Sequence, residues 1–427
     1  MKPFLFILST ALLVNCAQKE TPLAITNTAD YESYLASNNG PTLQQNNKTL
    51  DFWNKRINSD TTGVGDIAPL AAAYATRFDI TGNIGHLYAA ERLYRRGAEI
   101  SHNNKDGFQR GVARNLIAQH RFKEAHEILK KSYAGVSKKH GTELILFDTA
   151  MELGHYTEAN TYLGKVKNMS DYHYLIRLAK WSDHEGNLDA AIKYLERAQK
   201  IAETGNSKDQ LVWVYATLGD FYGHAGRIRE AYAMYLKTLK LQPENAHVKK
   251  GIAWIAYAAE KDTPTANRIL DSILKTHAMP DHYLLKAEMA EYNGNKEQSE
   301  RYTTMFVEMA TNGNYGAMYR PHLVEIYAGG DPKKALALAK AEVAARATPQ
   351  TYSLLAYAQL QNNKKEEALK TIENHVAGKT PEPMAAYYSA LVYKANGMHA
   401  KVKPIKEELQ AAWFEMGPVL SKKIRSL

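Results

Sequence analysis

The chain has 427 residues, 45% of them apolar and 23% charged, with a formal net charge of +9. That composition excludes a disordered chain and a bundle of membrane-spanning helices. One compact core would normally have split into domains at this length, whereas a repeat array simply lengthens.

The N-terminus opens with Lys2 and an apolar run over residues 4–14. A run of that length is too short to cross a bilayer, which takes about 20 residues, but it suits the core of a secretory signal. It ends in Leu13-Val14-Asn15-Cys16, and Cys16 is the sole cysteine. No internal disulfide or thiolate metal cluster can therefore form. The segment resembles the lipobox of bacterial lipoproteins: Leu13 and Val14 fit, while Asn15 departs, because Gly, Ala or Ser normally precedes the cysteine. The resemblance implies that residues 1–15 are a signal peptide and that Cys16 is lipidated, anchoring the protein in the cell envelope. Ala17 after the cysteine, in place of Asp, points to the outer membrane, periplasmic or surface-facing. Residues 16–48 are rich in Asn, Thr, Ser and Gln and read as a polar tether with one short helix near residues 31–36.

From residue 106 a repeat dominates. Its clearest copy places Tyr215, Leu218, Gly219 and Tyr222 before Gly226, then Ala231, Tyr235, Leu241 and Pro243. Leu218, Gly219 and Tyr222 share one helical face. Gly219 and Ala231 are small where two helices cross, Gly226 permits a positive-φ turn, and Pro243 stops the second helix. This pattern resembles the tetratricopeptide repeat (TPR) family, with Thr238 as the one departure, since a small Ala is usual there. The small second-helix residue recurs at Ala125, Ala159, Ala191, Ala231, Ala266, Ser299, Ala335, Ala368 and Val402, at spacings of 32 to 40 residues, around the 34 of a TPR unit. The widest spacing falls at residues 205–209 and predicts a loop insertion there. Turn glycines are expected at Gly154, Gly186, Gly226, Gly294, Gly330 and Gly397. The opening block over residues 49–105, with Phe52-Trp53 and Thr81-Gly82-Asn83-Ile84, reads as a divergent helical cap. It is similar to the leading segment of TPR-containing lipoproteins of Bacteroidetes. The expected fold is therefore all-α: a right-handed α-α superhelix of about ten helix pairs, with the TPR-type array over residues 106–415 and a C-terminal tail over residues 416–427.

In TPR arrays the first helices line a concave groove that binds peptides or helices. The resemblance carries groove positions onto Arg110, Arg114, Asp148, Lys180, Asp183 and His184 in the second to fourth units. In the fifth and sixth it carries them onto Trp213, Asp220, His224, Lys250, Trp254 and Tyr257. In the last four it carries them onto Glu288, Tyr292, Arg320, Tyr327, Tyr357 and Tyr387. The N-terminal half of this set is charged and the C-terminal half aromatic. Tyr, Trp and Arg dominate binding hot spots, yet tyrosines at helical spacing also serve as packing between repeats. The carboxylate clamp of chaperone-binding TPR domains is not matched, because Ile145 follows Arg110 and Arg114 where Asn is needed.

Basic residues fall in dipeptides such as Lys130-Lys131 and Lys249-Lys250, not in the continuous stripe that nucleic acid demands, so no nucleic-acid partner is expected. No hydrolase, phosphate-loop or zinc-protease motif occurs. His184 and His224, at matching positions beside Asp183 and Asp220, read as a groove wall, and no metal site or cofactor is expected. The expected function is a non-catalytic protein- or peptide-binding scaffold anchored to the membrane. The alternative is a lipoprotein that captures a glycan or small molecule.

Overall fold

Apolar residues at helical spacing become helices along the described chain. The computed structural model describes residues 24–36, 40–57, 63–101, 105–135 and 139–427; these hold 23 α-helices and no strand. Cys16 and the expected signal peptide lie outside the described residues. Helices α1 (Thr28–Leu35) and α2 (Pro41–Ile57) precede ten antiparallel pairs. The first five are α3 with α4 (Val64–Thr81, Ile84–Ile100), α5 with α6 (Lys105–Ala118, Phe122–Tyr133), α7 with α8 (His140–Leu153, Tyr156–Lys165), α9 with α10 (Tyr172–His184, Leu188–Thr204) and α11 with α12 (Lys208–His224, Ile228–Leu241). The next five are α13 with α14 (Ala246–Ala258, Thr263–Leu274), α15 with α16 (Asp281–Tyr292, Lys296–Asn312), α17 with α18 (Arg320–Gly330, Pro332–Ala345), α19 with α20 (Pro349–Gln361, Lys365–His375) and α21 with α22 (Pro383–Ala395, His399–Ala411). A last helix, α23 (Trp413–Arg425), closes the chain.

The repeat register holds. Ala125, Ala159, Ala191, Ala231, Ala266, Ala335 and Ala368 are all buried at the crossings, as is Val402, while Ser299 is half-buried. Close approach is carried by aromatic rings set against glycine. A Cβ on Gly219 would sit 2.3 Å from the Tyr235 ring, and one on Gly251 would sit 2.6 Å from the same ring. The ring is thus wedged between α11 and α13, and its hydroxyl donates to Asp220 Oδ1 at 2.8 Å. Turn glycines 154, 186, 226, 294 and 397 adopt positive φ. Gly330 does not; it ends α17, and the turn is made by Asp331, whose carboxylate accepts from Lys334 N at 3.1 Å.

The structure corrects three expectations. Residues 205–209 are not a loop insertion: α10 and α11 each run 17 residues and only residues 205–207 separate them. The added residues extend both helices because Ala198, Ala202 and Leu211 continue the buried stripe. Residues 24–48 are not a free tether. Ile25 and Thr26 donate their backbone N–H groups to Glu260 Oε1 at 2.6 Å each, and Tyr31, 1% exposed, packs α1 onto α12 and α14. Lys249 Nζ and Ser272 Oγ donate to the carbonyls of Tyr34 and Leu35, and α2 packs on α3. Composition concealed this because backbone groups make most of these bonds. Residues 416–427 are likewise no tail, since α23 packs against α11, α13, α15, α21 and α22.

The coil closes on itself. Ala278 N donates to Thr81 O at 3.1 Å and Tyr88 donates to Asn314 O at 2.6 Å, joining pair one to the connections on either side of pair seven. Arg346, after α18, pairs with Glu152 of pair three at 3.3 Å. Pair five meets α23. The offset is about six pairs each time, so a second superhelical turn rests on the first.

The wedge at Tyr235 predicts opposite outcomes for two alanine substitutions. Gly219→Ala should destabilise by about 1–3 kcal/mol, because the ring cannot retreat from an added methyl. Gly164→Ala, on α8 with nothing near its Cβ position, should be neutral or stabilise by up to about 1 kcal/mol. Thermal midpoints check this, and equal shifts for the two would show that Tyr235 has room to move.

Candidate functional site

Neighbouring first helices pack directly on one another, as α5 does on α7, α7 on α9 and α11 on α13. Second helices lie further apart and meet through long side chains, as where Lys130 on α6 reaches Glu158 on α8 at 2.8 Å. The first helices therefore form the inner face.

Over pairs five to seven that face is covered by the chain itself. Trp254 Nε1 donates to Phe414 O at 3.1 Å. His224 Nδ1 lies 2.9 Å from Glu415 Oε2, and Lys423 pairs with Glu291 at 3.1 Å. Helix α23 bends at Gly417 (φ 68°), where a Cβ would stand 2.7 Å from Trp254 and 2.9 Å from Glu288 Oε1. Tyr257 is 0% exposed and donates to Glu288 Oε1 at 3.0 Å. Four expected groove residues, His224, Trp254, Tyr257 and Glu288, thus meet the protein's own C-terminal helix. Beside them remains a cleft of about 440 Å³ lined by Asp220, His247, Lys250, Trp254, Phe414 and Glu415 among others. Asp220 is held there by Tyr235 and by His247 at 2.9 Å, and Lys250 pairs with Asp281.

Over pairs two to five the inner face is open. A cleft of about 450 Å³ is lined by Asp148, Arg177, Lys180, Asp183, Trp213 and Phe221 with their neighbours. Arg177 pairs with Asp148 at 2.6 Å and donates to Leu144 O at 2.9 Å; Lys180 pairs with Glu152 at 2.8 Å. Trp213 is 44% exposed, with Tyr172 edge-on to it at 6.3 Å between ring centres. Arg114 is exposed and forms no hydrogen bond or ion pair among the described residues. Withdrawal from bulk water, then the nearby Arg110 and Arg177 guanidiniums, hold its pKa below the ordinary arginine value. Arg110 itself reaches Thr142 Oγ1 at 3.4 Å.

The remaining expected positions are largely engaged in packing. His184 stacks on Tyr156 with ring centres 4.0 Å apart, while His224 faces Glu415, so the two histidines share no set of partners. Arg320 and Arg346 both pair with buried Glu342, at 2.9 and 2.7 Å. Lys334 covers the Tyr327 ring, Tyr357 stacks on Tyr388 at 4.7 Å, and Tyr387 lies against Tyr388. Tyr292 is 40% exposed, edge-on to Tyr257. Sequence reasoning passed over Arg177, Glu152, His247 and Glu415. Arg177 was within reach, since it lies three residues before Lys180 on the same face. Glu415 carried no signal, because only the closing of the coil brings it to the groove.

Residues 172–204 and 214–245 match the Tetratricopeptide repeat family profile. Pairs four and five are tetratricopeptide repeats. The structure is similar to that of a human IFIT1 dimer with m7Gppp-AAAA (TM-score 0.47, 13% identity, covering 78% of this chain and 76% of that one). It is also similar to yeast Tom70 (TM-score 0.39, 14% identity, 94% and 100%). A third likeness is to YrrB, described as a TPR protein with an unusual peptide-binding site (TM-score 0.28, 16% identity, 47% and 96%). What those proteins bind is a property of theirs. No protein with a curated description matches this chain.

The contact with α23 should depend on pH. Burial pushes the Glu288 carboxyl up to about 7, with Glu291 adding to the shift while Tyr257 and Lys423 oppose it. The hydrogen bond to Glu415 raises His224 above the usual imidazole value. Asp183 and Glu382 nearby are raised too, first by burial and then with a contribution from Glu415. A group whose folded pKa is raised stabilises its contact while protonated and loses that contribution as pH rises through the folded value. Glu288 therefore favours docking in mild acid and weakens it as pH climbs past about 7, and the raised His224 acts in the same direction. Hydrogen exchange over residues 413–425, corrected for its intrinsic rate, should be slower at pH 5.5 than at pH 8. Glu288→Gln should flatten part of the difference. A contact equally protected at both values would refute the coupling.

Proposed function

We propose that this protein is a lipid-anchored scaffold of the bacterial cell envelope, without catalytic activity, that holds an extended segment of a partner protein on the inner face of pairs two to five. The observation that carries this reading is Arg114. An exposed guanidinium with no hydrogen bond or ion pair among the described residues, beside two further arginines and with Asp148 already paired to Arg177, gains from an arriving anion. Trp213 adds an exposed indole, the residue type that most often anchors an interface. An acidic segment with an apolar or aromatic side chain answers both features. A second reading, capture of a glycan or small molecule, is favoured by the cleft beside α23, where Trp254 and Phe414 stand beside Asp220, His247 and Lys250.

The anchor belongs to the same reading. Cys16 ends an apolar run that resembles a lipoprotein signal. Residues 17–24 span at most about 29 Å when fully extended, and Ile25 is fixed to Glu260 in the turn between α13 and α14. A lipid on Cys16 would thus hold the outer side of pairs five and six close to the membrane.

Replacing Trp213 by a photocrosslinking residue should capture a partner from membrane extracts, and Arg114→Glu in the same protein should reduce that capture more than about tenfold. Equal capture with Arg114→Glu would sink the peptide site. A rise in thermal midpoint with sugars, lost in Trp254→Ala, would favour the second reading. Cys16→Ser should move the protein from the membrane fraction to the soluble fraction, and unchanged fractionation would refute the anchor.

A further inference from the structure

On the outer face, between the second helices of pairs two and three, three side chains converge that the inner face does not use. His126 lies on α6, His155 caps α8, and Glu158 sits in the first turn of α8. His126 Nε2 is 3.3 Å and His155 Nδ1 is 3.7 Å from the same oxygen, Glu158 Oε2. All three donor atoms lie within 4.8 Å of one another. A tetrahedron with bonds of about 2.0–2.1 Å has edges of about 3.3–3.4 Å. The first spacing is that of two groups sharing one small ion, and the second is within a few tenths of an ångström of it.

The proton inventory points the same way. Thr149 is wholly buried, and its hydroxyl proton has the carbonyls of Ile145 and Leu146 within 3.1 and 3.2 Å, the usual partners of a threonine inside a helix. Thr149 Oγ1 is then left to accept from His126 Nδ1, at 2.9 Å. With the ring proton on Nδ1, Nε2 presents a lone pair to the Glu158 carboxylate. A lone pair and a carboxylate oxygen facing one another repel unless a cation lies between them. Lys130 serves Oε1, at 2.8 Å, and leaves Oε2 to the two imidazoles. His126 is 8% exposed and held from behind, whereas the His155 side chain is 54% exposed and leaves room for water.

The geometry points to a transition-metal site in which His126 Nε2, His155 Nδ1 and Glu158 Oε2 bind a zinc-type divalent ion, with water in the fourth position, clasping α6 to α8. Two imidazoles and one carboxylate suit Zn²⁺, whereas Mg²⁺ and Ca²⁺ require six or more mostly oxygen donors. Thr149 is the supporting partner that fixes the His126 tautomer, as the outer contacts of metal-bound histidines generally do.

The test is a titration of the full chain, stripped with a chelator that is then removed, with Co²⁺ followed by Zn²⁺. Co²⁺ should give the visible absorption of a four- or five-coordinate ion, one equivalent of Zn²⁺ should abolish it, and Zn²⁺ should raise the thermal midpoint by several degrees, while Mg²⁺ leaves it unchanged. His155→Ala removes an exposed side chain and should leave the metal-free midpoint intact while weakening binding more than about tenfold. Glu158→Gln should do the same. His277→Ala, at a histidine pair elsewhere in the chain, should leave binding unchanged. Absence of the cobalt spectrum, or equal affinity in the His155 and Glu158 variants, would overturn the site.

Discussion

The Tyr235 ring between Gly219 and Gly251 sets the geometry on which the rest of the molecule depends. A single helix pair leaves apolar surface on both flanks, and only another pair can cover it. How closely the next pair approaches is fixed by what stands at the crossing. With glycine on α11 and on α13, one aromatic ring from α12 fills the space among three helices. The same device recurs near the start of the array, where Phe108 lies against Gly97 and Tyr94 against Gly111. Each crossing brings first helices together and leaves second helices apart, so the array must curve. Curvature that accumulates through about six pairs returns the chain to its own beginning.

That return explains features no single repeat requires. Glu152 accepts from Lys180 in the next pair and from Arg346 on the overlying turn. Glu342, 3% exposed, is held by Arg320 and Arg346 together, the pairing without which a buried carboxylate is costly. The N-terminal segment is clamped to Glu260, Lys249 and Tyr232 on pairs five and six. At the other end, α23 reaches the inner face because the second turn has arrived above it.

The sequence made the repeat legible because its signal is local. Ala125, Ala159 and Ala191 recur at nearly constant spacing, and they and Ala231 occupy the crossings that the repeat implied. The inner face was legible only as a set of positions. Trp213 and Arg114 are free on it, but Tyr257 is buried and Arg320 is spent on Glu342, because their partners lie some 20 to 160 residues away in sequence. Nothing in a repeat pattern states how far the superhelix turns before it meets itself. Gly417 carried the one local hint of the covering helix: a glycine before Pro418 in an amphipathic segment, where the backbone turns to positive φ against Trp254. His126, His155 and Glu158 escaped notice for a different reason. Their spacing resembles no metal motif, since they come from helices of two different repeats.

The covered and open halves of the inner face differ in kind, and the difference follows from electrostatics. Where α23 lies, three cations meet anions of the same chain: His224 meets Glu415, Lys423 meets Glu291, and Lys250 meets Asp281. That half is complementary to a segment it already holds. In the open half Asp148 pairs with Arg177 and Glu152 with Lys180 and Arg346, and Arg114 forms no ion pair of its own among the described residues, with Asp148 acting on it only from a distance. On the reading proposed above, a partner segment is held along the half that α23 leaves open. His224, with its raised pKa, sits at the border between the two halves, while Glu288, raised as well, lies under α23 at pair seven.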